Sequence, residues 1–254
     1  MRITGRPRAR SIRIAAWVAT LAVAAACGGG GPAGPTRPPP GSRAVTFPSA
    51  SGVDLAGRLF GEGRTAVVLS HMLPADQRSW WAFAQQLADH GYLALTYDFS
   101  GYCPGGVAGC SGGTKEVAGI WRDVVGAIRF VTSQGADRVL LVGASMGGTA
   151  SLVAAAQPGV SVAAVVTLSA PQSIEGLVAD ADTLAKVGAA KLFVAGNADP
   201  TGSADAAQAL YDRSPPPKRL EIVTSADHGT DLLTGNQSGV VTTMILSYLE
   251  QYRG

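Results

Sequence analysis

Charge is scarce in this chain. Only 15% of its 254 residues are Asp, Glu, Lys or Arg, and the formal net charge is +2. Arg2, Arg6, Arg8, Arg10 and Arg13 crowd the first stretch, so much of the positive charge belongs to the N-terminus. Nothing suggests a nucleic-acid partner. Long apolar runs are scarce as well. The N-terminal candidate, Ile14 to Ala26, is too short to span a bilayer comfortably. No internal repeat is visible. Histidine and cysteine number three each, so chemistry that needs an imidazole has three places to look. What is plentiful is small or apolar: 33 glycines and 46% hydrophobic residues. That is a globular composition, and the length allows one sizeable domain with a full core, or two small ones.

Residues 1–26 read as an export signal, with a basic start, an apolar run and small residues at Ala24, Ala25 and Ala26. Cys27 follows. The arrangement resembles the lipobox of bacterial lipoproteins, in which the cysteine is lipidated and becomes the mature N-terminus. Ala24 stands where Leu is usual, so ordinary secretory cleavage near Ala26 is the alternative, and an uncleaved anchor is the third. Residues 27–42, rich in Gly and Pro, cannot bury enough apolar surface to fold and read as a tether. The folded domain is expected over 43–254.

Within it, Ala44 to Phe47 and Val53 to Phe60 read as two hairpin-like strands. Ala66 to Ser70 is a short all-apolar strand, as expected of a sheet covered on both faces. A helix is expected from about Arg78 to His90, ended by Gly91, then a strand over Tyr92 to Tyr97. A glycine-rich loop precedes a helix from about Lys115 to Gln134. Strands at Arg138–Val142, Val162–Leu168, Lys191–Ala195 and Arg219–Val223 alternate with helices to Gln157, over Ser203–Arg213 and over Gln237–Tyr252. Such alternation predicts an α/β fold: a mostly parallel central sheet with helices on both faces.

The chain is organised around Gly143-Ala144-Ser145-Met146-Gly147, where an apolar strand meets an alanine-rich helix. This has the form of a nucleophile elbow, a sharp turn that holds a serine hydroxyl out of the sheet. Gly143 and Gly147 lack a Cβ and let strand and helix approach closely. The helix N-terminus behind Ser145 favours negative charge developing there. In a parallel sheet, loops at the carboxyl ends of strands build the site. Three such loops carry Ser145, Asp199 and His228, in that order.

On Val67-Val68-Leu69-Ser70-His71, Tyr97-Asp98-Phe99-Ser100-Gly101, the elbow, Gly196-Asn197-Ala198-Asp199 and Asp227-His228-Gly229, the chain from about Ala44 onward resembles the α/β-hydrolase superfamily. It is most similar to the dienelactone-hydrolase-like and small bacterial serine esterase branches. Dienelactone hydrolases proper use a cysteine nucleophile, so the serine argues against that exact activity. The resemblance implies Ser145 as nucleophile, His228 as base and Asp199 as the acid that orients it. A serine hydroxyl needs a base to take its proton as it attacks, and histidine suits the task. His90 stands at a helix end, and His71 lies where the family keeps a histidine for loop structure. Asp205 is the weaker acid because it falls inside a helix; Asp227 is expected to shape the loop of His228, and Asp98 and Asp123 to be structural. The oxyanion hole is expected from the N–H of Met146 and from Leu73 or Met72, which stands where glycine is usual.

Cys103 and Cys110 share one glycine-rich loop and are expected to form a disulfide, as exported proteins favour. No His, Asp or Glu lies between them, which argues against a metal site, and no cofactor is implied. Trp80 and Trp81 are expected to be packing residues. Only Ser169 to Ala190 separates two strands where relatives insert a cap domain, so no large cap is expected. The resulting expectation is an exported serine hydrolase, acting as a monomer on a short-chain ester and held at the membrane by a lipidated N-terminus. A peptidase or amidase on the same triad, and a non-catalytic binding lipoprotein, are the alternatives.

Overall fold

Thr65–Ser70 (β3), the strand expected to be covered on both faces, is buried along its whole length in the computed structural model. The structure describes residues 1–2 and 37–254. The apolar run of the export signal, Cys27 and most of the tether lie outside the described residues, as does any lipid attachment there. Among the described residues no helix is long and apolar enough to cross a membrane.

Arg43–Pro48 (β1) and Asp54–Phe60 (β2) form the expected antiparallel hairpin. Leu93–Tyr97 (β4), Arg138–Ala144 (β5), Ala164–Leu168 (β6), Ala190–Gly196 (β9) and Lys218–Val223 (β10) complete an eight-stranded sheet in the order β1-β2-β4-β3-β5-β6-β9-β10. Every pairing from β4 to β10 is parallel. Their inner strands are Val-, Leu- and Ala-rich without alternation because both faces are covered.

Two apolar clusters flank the sheet. One gathers side chains of Trp121–Ser133 (α2), Met146–Ala155 (α3) and Ser203–Arg213 (α5). The other gathers Trp81–Asp89 (α1) and Ser238–Gln251 (α6). Trp80 and Trp81 are fully buried here, as packing residues.

Three local readings need correction. The helix expected from about Arg78 opens as a 3-10 turn over Gln77–Trp80, and α1 proper starts at Trp81. The helix expected from Lys115 begins as a short 3-10 turn over Val117–Gly119, and α2 proper starts only at Trp121. Glu116 is extended, and Gly119, a weak helix former, ends the tighter turn. The segment between β6 and β9, unpatterned in sequence, folds into a small hairpin, Ser173–Ile174 (β7) with Leu177–Val178 (β8), and one short helix, Ala181–Ala185 (α4). Asp180 caps that helix by accepting from Thr183 N at 2.9 Å. Among the described residues, this hairpin and helix are the regular structure of the crossover.

Register places the site. Ser70 pairs with Gly143, Ala144 with Leu168, Leu168 with Val194, and Val223 with Gly196. The residues that follow each strand, His71, Ser145, Ser169, Asn197 and Thr224, therefore emerge along one carboxyl edge of the sheet.

Candidate active site

Ser145 occupies the turn between β5 and α3 with φ 47° and ψ −119°. A non-glycine residue in that conformation stores strain, which persists only where the surroundings hold it. They do so by close approach. A Cβ on Gly147 would collide with the carbonyls of Ser70 and His71, and one on Gly143 with the backbone of Gly147 and Gly148. Ser145 N donates to Leu168 O at 2.7 Å, and Ser145 O accepts from Gly148 N and Thr149 N at 2.9 and 3.2 Å. The Met146 amide, first in α3, has no acceptor within its own helix. It stands directly after the serine, at the positive end of the helix dipole.

Across the sheet edge, His228 Nδ1 lies 2.6 Å from Asp199 Oδ2. The Asp199 carboxylate is fully enclosed, and three further donors converge on it. Thr201 N and Thr201 Oγ1 reach Oδ1 at 2.9 and 2.8 Å, and Ser203 Oγ reaches Oδ2 at 2.6 Å. Burial pushes the Asp199 carboxyl up, but the hydrogen bonds from Ser203, Thr201 and His228 outweigh it and hold the group below its ordinary value. An ionised Asp199 requires a proton on His228 Nδ1, so Nε2 is left as the basic nitrogen of the neutral ring.

Thr201 and Ser203 were not singled out in the sequence. Their signal is there in retrospect: hydroxyl residues two and four places after an acid, opening a helix, are a pattern for local capping turns. Asp205 lies in the first turn of α5 and takes no part in this network. Asp227 accepts from Ser225 Oγ at 2.7 Å and shapes its own loop.

Ser145 and His228 line one cavity of about 250 Å³, together with Ser169, Thr201, Pro171 and Ile174. No hydrogen bond joins Ser145 Oγ to His228 among the described residues; catalytic hydrogen bonds often tighten only in the substrate complex. A larger groove, about 720 Å³, runs between α2 and the chain after α3, and holds none of these groups.

Behind the serine, His71 is fully buried. Its Nε2 accepts from Phe99 N at 3.2 Å, which places the proton on Nδ1, where it is donated to Met72 O at 2.9 Å. Burial pushes the His71 imidazolium down to about 4, so the ring is neutral at pH 7. Asp98, 4.0 Å from His71, accepts from Gln77 N and Nε2 at 2.9 and 2.6 Å and is pushed up to about 7 by burial. Asp123 accepts from Ser100 N and Oγ at 2.8 and 2.9 Å. These histidine and aspartate side chains hold loops, and His90 caps α1. Cys103 and Cys110 stand at disulfide distance, with Cα atoms 4.1 Å apart. Tyr102, next to Cys103, packs its ring T-shaped against His71 and directs its hydroxyl at Met146 Sδ, 3.7 Å away. No cluster of three or more metal-ligating side chains occurs among the described residues.

With a serine elbow after the central strand and an Asp–His pair on the loops that follow β9 and β10, the architecture is that of the α/β hydrolases. The chain belongs to the alpha/beta hydrolase fold family, which it matches over residues 65–228. Solved structures agree on the fold. An esterase from Pyrococcus furiosus superposes with a TM-score of 0.69 at 16% identity, covering 84% of this chain and 91% of that one. The esterase domain of a Rhodothermus marinus protein gives 0.65 at 22% identity, covering 84% and 100%. A thermophilic esterase from Thermogutta terrifontis gives 0.63 at 16% identity, with the same coverage. No match was found among curated proteins.

Proposed function

We propose that this chain is a serine esterase that hydrolyses small, short-chain esters through an acyl-enzyme on Ser145. The observation that carries the reading is the shared cavity: a serine held at positive φ at a helix N-terminus opens onto the same space as a histidine whose Nδ1 is bound to a buried carboxylate. In this reading His228 Nε2 takes the proton from Ser145 Oγ as the oxygen adds to the ester carbonyl carbon. The protonated ring then donates to the leaving alcohol, and the C–O bond breaks. Water, deprotonated by the same nitrogen, attacks the acyl-enzyme and releases the acid.

The oxyanion is received by Met146 N–H and by a second amide, which we assign to Leu73 rather than Met72. His71 holds the Met72 carbonyl from behind. In a planar trans peptide the N–H of the next residue points the opposite way, so the Leu73 amide is turned from His71. His71 thereby acts as a bracket for the hole, not as a base.

Within the family the serine fits the esterase side of the dienelactone-hydrolase-like branch. The reading extends to export: residues 1–26 act as the signal, with lipid attachment at Cys27 and a tether to residue 42. The Cys103–Cys110 pair suits an oxidising compartment. The cavity of about 250 Å³ favours short acyl groups. Each further buried CH₂ contributes about 0.8 kcal/mol, and carbons left in water contribute little. kcat/KM should rise from acetate toward short acyl esters and then flatten. Ser145→Ala, measured by pH-stat on the best of these esters, should lower kcat by roughly 10⁵-fold or more while the protein stays folded. Near-normal turnover by a folded Ser145→Ala protein would sink the reading, and a steep continued rise to long-chain esters would remove the short-chain part of it.

A further inference from the structure

Ser169 ends β6 beside the serine elbow, and two features set it apart. Its backbone has φ 54°, one of only three non-glycine residues with positive φ among the described residues, another being Ser145. The residue is 1% exposed, yet Oγ has no hydrogen-bond partner. A buried hydroxyl without a partner is uncommon, and strained residues gather where a ligand is handled. Ser169 lines the cavity shared by Ser145 and His228.

Of the other hydroxyl residues that line the cavity, Ser203 is buried and donates to Asp199, as does Thr201 at the exposed rim; Ser173 is exposed, and Ser145 is the nucleophile of the proposed reaction. Pro171, Ile174 and Ala206 supply an apolar wall. No Lys or Arg lines the space, and the ionised Asp199 stands behind His228, so nothing there would offset a carboxylate on the substrate. The cavity suits a short neutral arm with one polar oxygen. A hydroxyl meets Ser169 whether Oγ donates or accepts.

We propose that Ser169 is a substrate-binding, specificity-determining residue, and that the ester taken by this site carries a neutral hydroxyl on the arm that fills the cavity. This rests on the serine-esterase reading. A methyl group in place of the substrate hydroxyl would leave Ser169 Oγ without a partner, and a site built around a hydrogen bond discriminates against the analogue that lacks it.

The test uses isosteric pairs, followed by pH-stat on the mature protein. Ethyl 2-hydroxypropanoate is compared with ethyl 2-methylpropanoate, which varies the acyl arm. 2-Hydroxyethyl butanoate is compared with propyl butanoate, which varies the alcohol arm. Rates are normalised to alkaline hydrolysis of the same esters. The expected result is a kcat/KM preference of about tenfold for the hydroxylated member of one pair, as one neutral hydrogen bond provides. The pair that shows it identifies the arm. Ser169→Ala and Ser169→Gly should both bring that ratio close to one. The glycine variant relieves the positive φ, so a change driven by strain alone would separate the two variants and leave the ratio intact. Ratios unchanged in both variants, or no preference in either pair for the wild type, would overturn the proposal. Wild-type protein that hydrolyses none of the four esters would overturn the esterase reading, and this proposal with it.

Discussion

The two sides of the cavity are built by opposite means. On the β9–β10 side, Asp199 and His228 are held by side-chain hydrogen bonds, with four donors closing on one carboxylate. On the β5–β6 side, Ser145 and Ser169 are held by backbone: both have positive φ, and Ser169 Oγ has no partner. The first side is complete before anything binds. The second is placed by its backbone, and Ser169 Oγ there has no hydrogen-bond partner. An imidazole must keep its tautomer and angle, which takes hydrogen bonds. A nucleophile must keep its hydroxyl free, so its position has to come from the main chain.

The sharpest break of the hydrogen-bonded side is Asp199→Asn. An amide there can present its NH₂ to His228 Nδ1 and favour the wrong tautomer, so kcat should fall by about 10⁴-fold with little change in stability. Asp205→Asn should leave kcat unchanged. The reverse pattern in steady-state kinetics would mean that Asp205 is the acid.

A second prediction tests the bracket behind the serine. Burial holds His71 at about 4, against 6.5 in an unfolded chain. Between those values the unfolded state binds more protons, so stability is complete above about pH 6.5 and is lost as pH falls toward 4. The two values imply about 3 kcal/mol from this ring. Asp98, raised to about 7, has the opposite sign and gains as pH falls. Denaturant unfolding of wild type against His71→Asn, at matched pH, separates the two: the wild type should lose about 3 kcal/mol relative to the variant between pH 7 and pH 4. A pH-independent difference would place the ring in a less enclosed setting.

The smallest effect sharpens the comparison. Thr201→Val removes one of four donors to Asp199 and keeps the shape of the side chain. kcat should fall by about tenfold with KM little changed. Loss of stability with kcat unchanged would make Thr201 a packing residue only.

Much of this architecture is legible in the chain. The uniformly apolar strands, the hairpin at Pro48–Gly52 and the elbow each depend on neighbours in sequence; that Ser145, Asp199 and His228 lie just past strand ends could be read from the strand pattern, while their proposed roles come from the resemblance. What could not be read depends on tertiary contact. Ser203 looks like an ordinary helix-opening serine until Asp199 is seen above it. Ser169 looks like a strand end, and only its burial and lack of a partner mark it. The hairpin after β6 pairs only two residues per strand around Glu175 and Gly176, too few for alternation to show. The start of α2 was misplaced because a helical pattern does not distinguish a 3-10 turn from the α-helix that follows it.

The central claim is that Ser145 is the activated nucleophile, and a fluorophosphonate probe tests it most directly. Phosphonylation needs the serine oxygen, the histidine base and the oxyanion amides together. Wild-type protein, labelled and mapped by peptide mass spectrometry, should carry the adduct on Ser145 alone, with labelling slowed by several orders of magnitude in His228→Ala. No adduct on folded wild-type protein, an adduct on Ser169 instead, or labelling of Ser145 at equal rate without His228 would contradict the account.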